Sequence, residues 1–288
     1  MNRTKVGRGD VMETMTFECE TVTPMFLAGA DGRTPELRPP SIKGSMRFWW
    51  RAMNGHLPIG ELKSRESEIF GSSDEKIGRS KFNIRILNKV PKTQKYHPLP
   101  HKRFKFNGII PDQKVSIILS SQYDDIRKYA DIFKISIILG GFGKRARRGF
   151  GGVKILSVDD QSYNSKCDLE NIMELLNDIV DNKYEISGKK IVLKSNLNTR
   201  YPFLKEIQLG KEYDFCSELL KRIGDASHNH HNDSLGSEKK RLASPIYVSV
   251  LKNSDDEYIP IISTLNTAFE DGRKIDFKKQ NEFKGAIL

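Results

Sequence analysis

Cysteine is scarce in this chain: three in 288 residues, Cys19, Cys167 and Cys216, without metal-ligand spacing and unable all to pair. That excludes a disulfide framework and a thiolate metal cluster, and it predicts a reduced, cytoplasmic setting. Long apolar runs are missing too. Val115–Leu119 and Ile135–Leu139 are the longest, and each holds a serine, whereas a membrane span needs about 18 apolar residues. The start, MNRTKVGRGD, lacks the apolar core of a secretion signal. Negative charge is the third shortage: 37 Asp and Glu stand against 48 Lys and Arg, a formal net charge of +11. Such an excess attracts polyanions over about 8 Å, the Debye length at physiological salt, and nucleic acid is the commonest such partner. An anionic membrane is the other candidate, but no segment reads as an anchor. A thermophile-like charged surface would explain the 30% charged content but not a surplus of one sign.

Residues 14–22 (TMTFECETV) alternate as a strand, and the Gly- and Pro-rich stretch 24–40 reads as a long loop. Ser41, after two prolines, is placed to cap a helix running to about Asn54. Residues 81–90, 115–120 and 153–158 read as three more strands. Residues 124–139 read as a helix with Ile126, Tyr129, Ile132, Phe133 and Ile137 apolar. The basic, proline-broken segment 91–107 is expected to be an exposed hairpin or loop. The order strand, helix, strand, strand, helix, strand is that of the split βαβ, or ferredoxin-like, fold, which also serves RNA-recognition modules. The expected fold class is α+β, with two tandem ferredoxin-like (RRM-like, βαββαβ) modules. The first spans residues 1–158 and a helical connector spans 159–190, with its helix near 168–180. The second, irregular or incomplete, spans 191–288. It has strands at 201–209, 245–251 and 258–264 and helices at 212–223 and 274–287. The polar stretch 225–240 (DASHNHHNDSLGSEKK) is expected to be mobile.

Two segments carry chemistry. On a helix, Ile42, Met46, Trp49 and Met53 share one face, while Lys43, Arg47 and Arg51 follow one another at i, i+4 and i+8 on the adjacent one. Free N–H groups near Lys43 suit a phosphate. Trp50, at the border of the faces, either stacks on a base or joins the core with Trp49. The second segment, Gly140–Gly152, reads GGFGKRARRGFGG. Lys144, Arg145, Arg147 and Arg148 would neutralise phosphates, Phe142 and Phe150 would offer stacking platforms, and six glycines let the backbone approach a ligand. Cations interleaved with aromatics on a flexible loop are what single-strand binding requires.

Competing motifs fail. A Walker A loop needs Ser or Thr after its Lys, and Arg145 follows Lys144. The formal match Gly141-x-Gly143-x-x-Ala146 to a dinucleotide fingerprint lies between a helix and a strand, the reverse of the required order. No metal or cofactor is called for, and no convincing catalytic set emerges. His228, His230 and His231 fall in the polar stretch, and His56 is isolated. His97 and His101 flank a proline-rich loop, and Asp124, Asp125, Asp159 and Asp160 suit caps and turns.

Taken together, the strand end Thr21–Pro24, RPPSIKG-x-x-R-x-WWR and GGFG-x-R-x-RRGFG resemble the RAMP superfamily of CRISPR-associated proteins. The resemblance is nearest to the first RAMP subunits of Cmr (type III-B) RNA-silencing complexes. It covers about 40 residues directly, spaced over the first 152, and only loosely touches the second half through RYPFLKEI. It implies two tandem ferredoxin-like modules and a subunit that binds CRISPR RNA or target RNA near the 3′ side of the guide. It also implies that other RAMP subunits are its partners and that cleavage belongs to another subunit. The RNA-binding residues it implies are Lys43, Arg47 and Arg51 with Lys144, Arg145, Arg147 and Arg148. Two alternatives stand beside this: a metal-independent endoribonuclease using His56, His97 or His101, and an assembly protein whose basic loop meets an acidic partner.

Overall fold

The computed structural model describes residues 2–6, 10–87, 91–122, 125–163, 168–195, 197, 199, 201–237, 240–269, 272 and 274–288. Cys167 and Asp124 lie outside the described residues.

The first sheet is antiparallel throughout and is built from β1 (Asn2–Val6), β2 (Asp10–Thr21), β3 (Phe82–Leu87), β6 (Lys114–Ser121), β7 (Val153–Val158) and β8 (Gln161–Ser162). Its order is β3-β6-β2-β7-β8, with β1 paired to β2 beside the stretch that β7 occupies. Period-two alternation sets the register: Met15, Phe17 and Cys19 lie opposite Leu119, Ile117 and Val115. Helices α1 (Pro39–Met53) and α3 (Ile126–Leu139) pack on this sheet, and α2 (Ile59–Phe70) packs on α1. α1 starts at Pro39, not at Ser41. Prolines in the first turn carry the preset φ of a helix start, so Arg38 is the cap residue and Ser41 lies inside the helix. α3 is capped by Asp125, whose side chain accepts from Arg127 N.

The second sheet runs β12-β13-β11-β10-β9, again antiparallel, from β9 (Tyr184–Ser187), β10 (Lys190–Leu193), β11 (Leu204–Leu209), β12 (Ile246–Lys252) and β13 (Tyr258–Leu265). In the first sheet β7 lies beside β2; in the second, β10 takes the corresponding place beside β11. The expected connector thus contributes both α4 (Leu169–Val180) and β9. Both faces of β12 and β13 are covered. Trp49, Met53, Ile135 and Leu139 of α1 and α3 meet Tyr247 and Ile261 on one face. On the other, Leu219 of α5 (Cys216–Asn229) and Phe283 of α6 (Phe277–Gly285) meet Val248 and Ile262. α1 and α3 are therefore shared by the two halves, and Ser249 Oγ donates to Ile138 O across the seam at 2.7 Å.

One expectation fails and another holds in part. Of the stretch 225–240, the described residues 225–237 are folded: α5 runs on to Asn229, and a short 3-10 turn at Asp233–Leu235 buries Ser234 and Leu235. The segment 91–107 is a hairpin, β4 (Thr93–Tyr96) with β5 (Phe106–Ile109), but its tip is not free. Pro100 sits so close to Gly224 of α5 that a Cβ there would lie 2.4 Å from its ring.

Candidate nucleic-acid interface

Residues 140–152 join α3 to β7, and their backbone is latched on three sides. Phe142 N donates to Gly151 O at 2.9 Å, Lys144 N to Phe26 O at 2.8 Å and Gly151 N to Pro24 O at 3.0 Å. Gly152 N donates to Thr23 Oγ1 at 2.8 Å, and Gly149 N reaches Val248 O of β12 at 2.7 Å. Glycine is required at Gly151: φ is +75°, and a Cβ would stand 2.1 Å from Phe142 O. The loop expected to be flexible is pinned between the two sheets.

The latch also settles the aromatics. Phe142 and Phe150 are 1% and 7% exposed, Phe150 lying against Phe26 with centroids 5.0 Å apart. Trp50, 4% exposed, packs edge-on to Phe70. These three are core, not stacking platforms for bases, because their rings already fill apolar space beneath the loop and α1.

The cations divide. Arg148 is structural: its guanidinium donates to Ile246 O at 3.0 Å, Arg147 O at 2.8 Å, Leu235 O at 3.3 Å and Ser244 Oγ at 3.1 Å. Burial, with Arg145 and Arg147 adding repulsion, pushes its pKa down to about 9, so it remains charged at neutral pH. Lys144 is exposed with Nζ 5.4 Å from the Phe106 centroid, and Arg147 lies 4.6 Å over Tyr247. Arg145 sits at φ +66° with a buried Nε that has no hydrogen-bond partner among the described residues, and burial lowers its pKa.

Around these residues lies a cleft of about 940 Å³. Its walls come from the loop, the N-terminal half of α1 (Ser41, Ser45), the hairpin tip and residues 224–237 and 241–244. Six cationic side chains line it: Lys102, Lys144, Arg145, Arg147, Arg148 and Arg241. Among the described residues, no Asp or Glu does. Positive charge without local compensation, in a concave wall, focuses potential on a polyanion.

The basic stripe of α1 has the expected spacing but turns away from this cleft. Arg47 Nε and Arg51 Nε hold the two oxygens of Glu66 on α2 at 2.9 and 3.1 Å. Arg47 also donates to Gly71 O, and Arg51 to Tyr201 Oη, each at 2.6 Å. Lys43 donates to Phe82 O at 3.1 Å; burial, then Arg47, lowers its pKa. Buried Glu66 must be paired, and the stripe pairs it. Lys43 and Arg47 still edge a shallow depression with Arg79, apart from the cleft. The cleft-facing side of α1 is the other one, which sequence reasoning passed over. Lys102, Arg241 and Tyr247 were missed as well, since only the tertiary fold brings them to the loop.

His101 and His228 meet in the cleft wall with ring centroids 4.2 Å apart, and His101 Nε2 lies 3.2 Å from Asp225 Oδ1. His56 does not line this cleft, and His97 turns Nδ1 to Lys102 O at 3.1 Å. No group of three or more potential ligands is placed to hold a metal, and no helix is long and apolar enough to cross a membrane, among the described residues.

The profile of the RAMP superfamily matches residues 18–154, which contain both sequence motifs. The chain is similar to CRISPR system Cmr subunit Cmr1-2 of Pyrococcus furiosus, 33% identical over 177 residues, covering 48% of this chain and 93% of that protein. Against Cmr1-1 of the same organism it is 28% identical over 213 residues, covering 60% of this chain and 59% of that protein. The apo crystal structure of Cmr1 from Pyrococcus furiosus shares the fold with a TM-score of 0.62 at 18% identity, covering 96% of each chain. A chain in a type III-B Cmr-beta complex bound to cognate target RNA does so at 0.61 and 11%, covering 96% of this chain and 99% of that one. With a relative matched at one third identity over nearly its whole length, the chain belongs to the RAMP superfamily, in its Cmr1 family.

Proposed function

We propose that this protein is a non-catalytic RNA-binding subunit of a type III-B (Cmr) CRISPR complex in antiviral defence. It holds single-stranded CRISPR RNA or target RNA, near the 3′ end of the guide, in the cleft under the glycine-rich loop. The observation that carries this reading is the cleft wall, with its six cations and no carboxylate among the described residues. Kinship with Cmr1 subunits and likeness to a chain in a target-RNA-bound complex support it. The strand orders support a further reading, two tandem ferredoxin-like modules. In each, two helices follow the first and third strands, and the second module lacks its last strand, which β10 replaces.

The test is binding of labelled single-stranded RNA across a salt series, with a denaturing gel afterwards. Lys144→Gln, Arg145→Gln and Arg241→Gln together remove three cleft charges and leave the buried Arg148 intact. The reading expects weaker binding, a slope in log K against log salt shallower by about 2, and uncut RNA. Unchanged binding would move the site away from the cleft.

A second reading, metal-independent cleavage, is favoured by one arrangement, the stacking of His101 on His228 in the cleft wall with Asp225, itself outside the wall, 3.2 Å from His101. It expects shortened RNA on the same gel, and that product lost in His101→Ala.

A further inference from the structure

Behind the glycine-rich loop lies a second cavity, of about 490 Å³, between the β4–β5 hairpin and the start of α5. It adjoins the cleft, since Arg145, Arg148 and Gly224 line both. Its chemistry differs. Among the described residues the cleft walls are cationic and without carboxylates, whereas this cavity is walled by Tyr96, Phe215, Tyr258 and four prolines, and sets Asp112 and Asp214 against Lys221 and the two shared arginines. The two carboxylates offset most of that positive charge, so the cavity lacks the cleft's pull on a phosphate. Flat aromatic and proline walls favour a flat, uncharged ring.

Phe215 makes the case sharper. It precedes α5 with 67% of its surface exposed, the most exposed of the large apolar residues among the described residues. An aromatic left in water beside a cavity is a candidate contact rather than a core residue. Asp214, next to it, has no ion-pair partner among the described residues, while Asp112 is shared with Lys252 at 3.4 Å. A carboxylate here can accept from the exocyclic amine of a base, as Asp and Glu do from cytosine N4. Between the two spaces stands Arg145, held at φ +66° with an unpartnered Nε, positioned to hold the phosphate from which a base turns inward.

We propose that this cavity is a nucleobase pocket: one base of the RNA lying in the cleft leaves its neighbours and inserts beside Phe215 and Tyr96. Amine-bearing bases are preferred over uracil. The proposal rests on the RNA-binding reading above and adds a base-recognising subsite to a cleft that otherwise reads only phosphates.

The test compares three labelled strands of equal length, oligoadenylate, oligouridylate and an abasic ribose-phosphate strand, on wild type and Phe215→Ala. All three carry the same phosphates, so the cleft alone treats them alike. The pocket predicts that wild type binds oligoadenylate tightest and the abasic strand about tenfold or more weaker, in the range of one base–aromatic stack. Phe215→Ala should bring the strands close to equality while keeping the wild-type salt slope. Phe215 is exposed, so its loss leaves the core intact. Equal binding of oligoadenylate and the abasic strand by wild type would overturn the pocket and leave the cavity to a protein segment. Discrimination that survives in Phe215→Ala would place the base elsewhere and overturn it too. Failure of every strand to bind would instead sink the RNA-binding reading itself.

Discussion

Replacing Arg145 by Met should make the RNA-free protein more stable and its RNA complex weaker. Arg145 sits partly buried in the loop with an Nε that finds no acceptor, and its pKa is lowered by burial with no carboxylate offsetting it. A buried donor left unsatisfied costs about 1–3 kcal/mol. Methionine has a similar stem and no donor, and it shares arginine's strain at φ +66°, so the backbone term cancels. Taking the low end, a gain of about 1 kcal/mol against an unfolding entropy near 0.6 kcal/mol per kelvin for a chain this long raises Tm by about 2 °C. On the binding side one phosphate contact disappears, and the salt slope becomes shallower by about 0.7. Thermal unfolding without RNA and a salt titration with it read the two effects separately. A lower Tm together with unchanged RNA affinity would refute the reasoning, because it would make Arg145 a structural residue like Arg148.

Other consequences follow from the packing. Gly151→Ala drives a Cβ into Phe142 O at positive φ and should destabilise by about 2 kcal/mol or more in chemical denaturation. Its RNA affinity should fall as well, because the latch opens. Lys284→Met removes the Nζ that Glu206 meets at 2.5 Å on the buried side of α6, leaves it Lys190 at 3.3 Å and Thr264 at 3.2 Å, and should cost about 1.5 kcal/mol at pH 7. Burial pushes the Glu206 pKa up, but the bonds from Lys284 and Lys190 outweigh it and hold the pKa below its ordinary value. The stabilisation is therefore present above about pH 4.5 and lost as pH falls through the lowered folded value, so the penalty of Lys284→Met shrinks in acid. His56 has its pKa lowered, first by burial and then by Lys183. Folding then favours the neutral ring, so stability drops as pH falls below about 6.5; His56→Gln should flatten that part of the profile in denaturation curves taken across pH.

Four of the six strands of the first sheet could be read from the chain because they alternate cleanly and its helices begin at prolines or an Asp cap; the short edge strands β1 and β8 could not. α2 went unread: Glu66 occupies one of its buried positions, paired from outside by Arg47 and Arg51, and so breaks the apolar period. That one buried carboxylate also explains why the α1 stripe looked like a phosphate track. Spacing shows that three cations share a face; it does not show that α2 supplies a counter-charge to Arg47 and Arg51 or that Lys43 turns to Phe82 O. The glycine-rich loop stands out by its composition, yet composition hides direction. Phe142 and Phe150 turn inward because residues 22–26 supply both backbone partners and an apolar surface. Residues 225–240 were hardest to read. Their few apolar side chains suggested mobility, but Leu235 is buried and its carbonyl takes a hydrogen bond from Arg148, a contact between residues 87 apart in sequence. Part of the cleft wall, His228, Leu235 and Ser237 among it, comes from this region, and Arg241 follows directly after it.

Cross-linking of 4-thiouridine-substituted single-stranded RNA to the protein, with the adducts mapped by mass spectrometry, tests the central claim most directly. The account predicts adducts on peptides from the loop at 141–148, the hairpin tip at 99–102 and residues 227–247. Adducts confined to surfaces outside the cleft, such as the depression around Arg79, would contradict it.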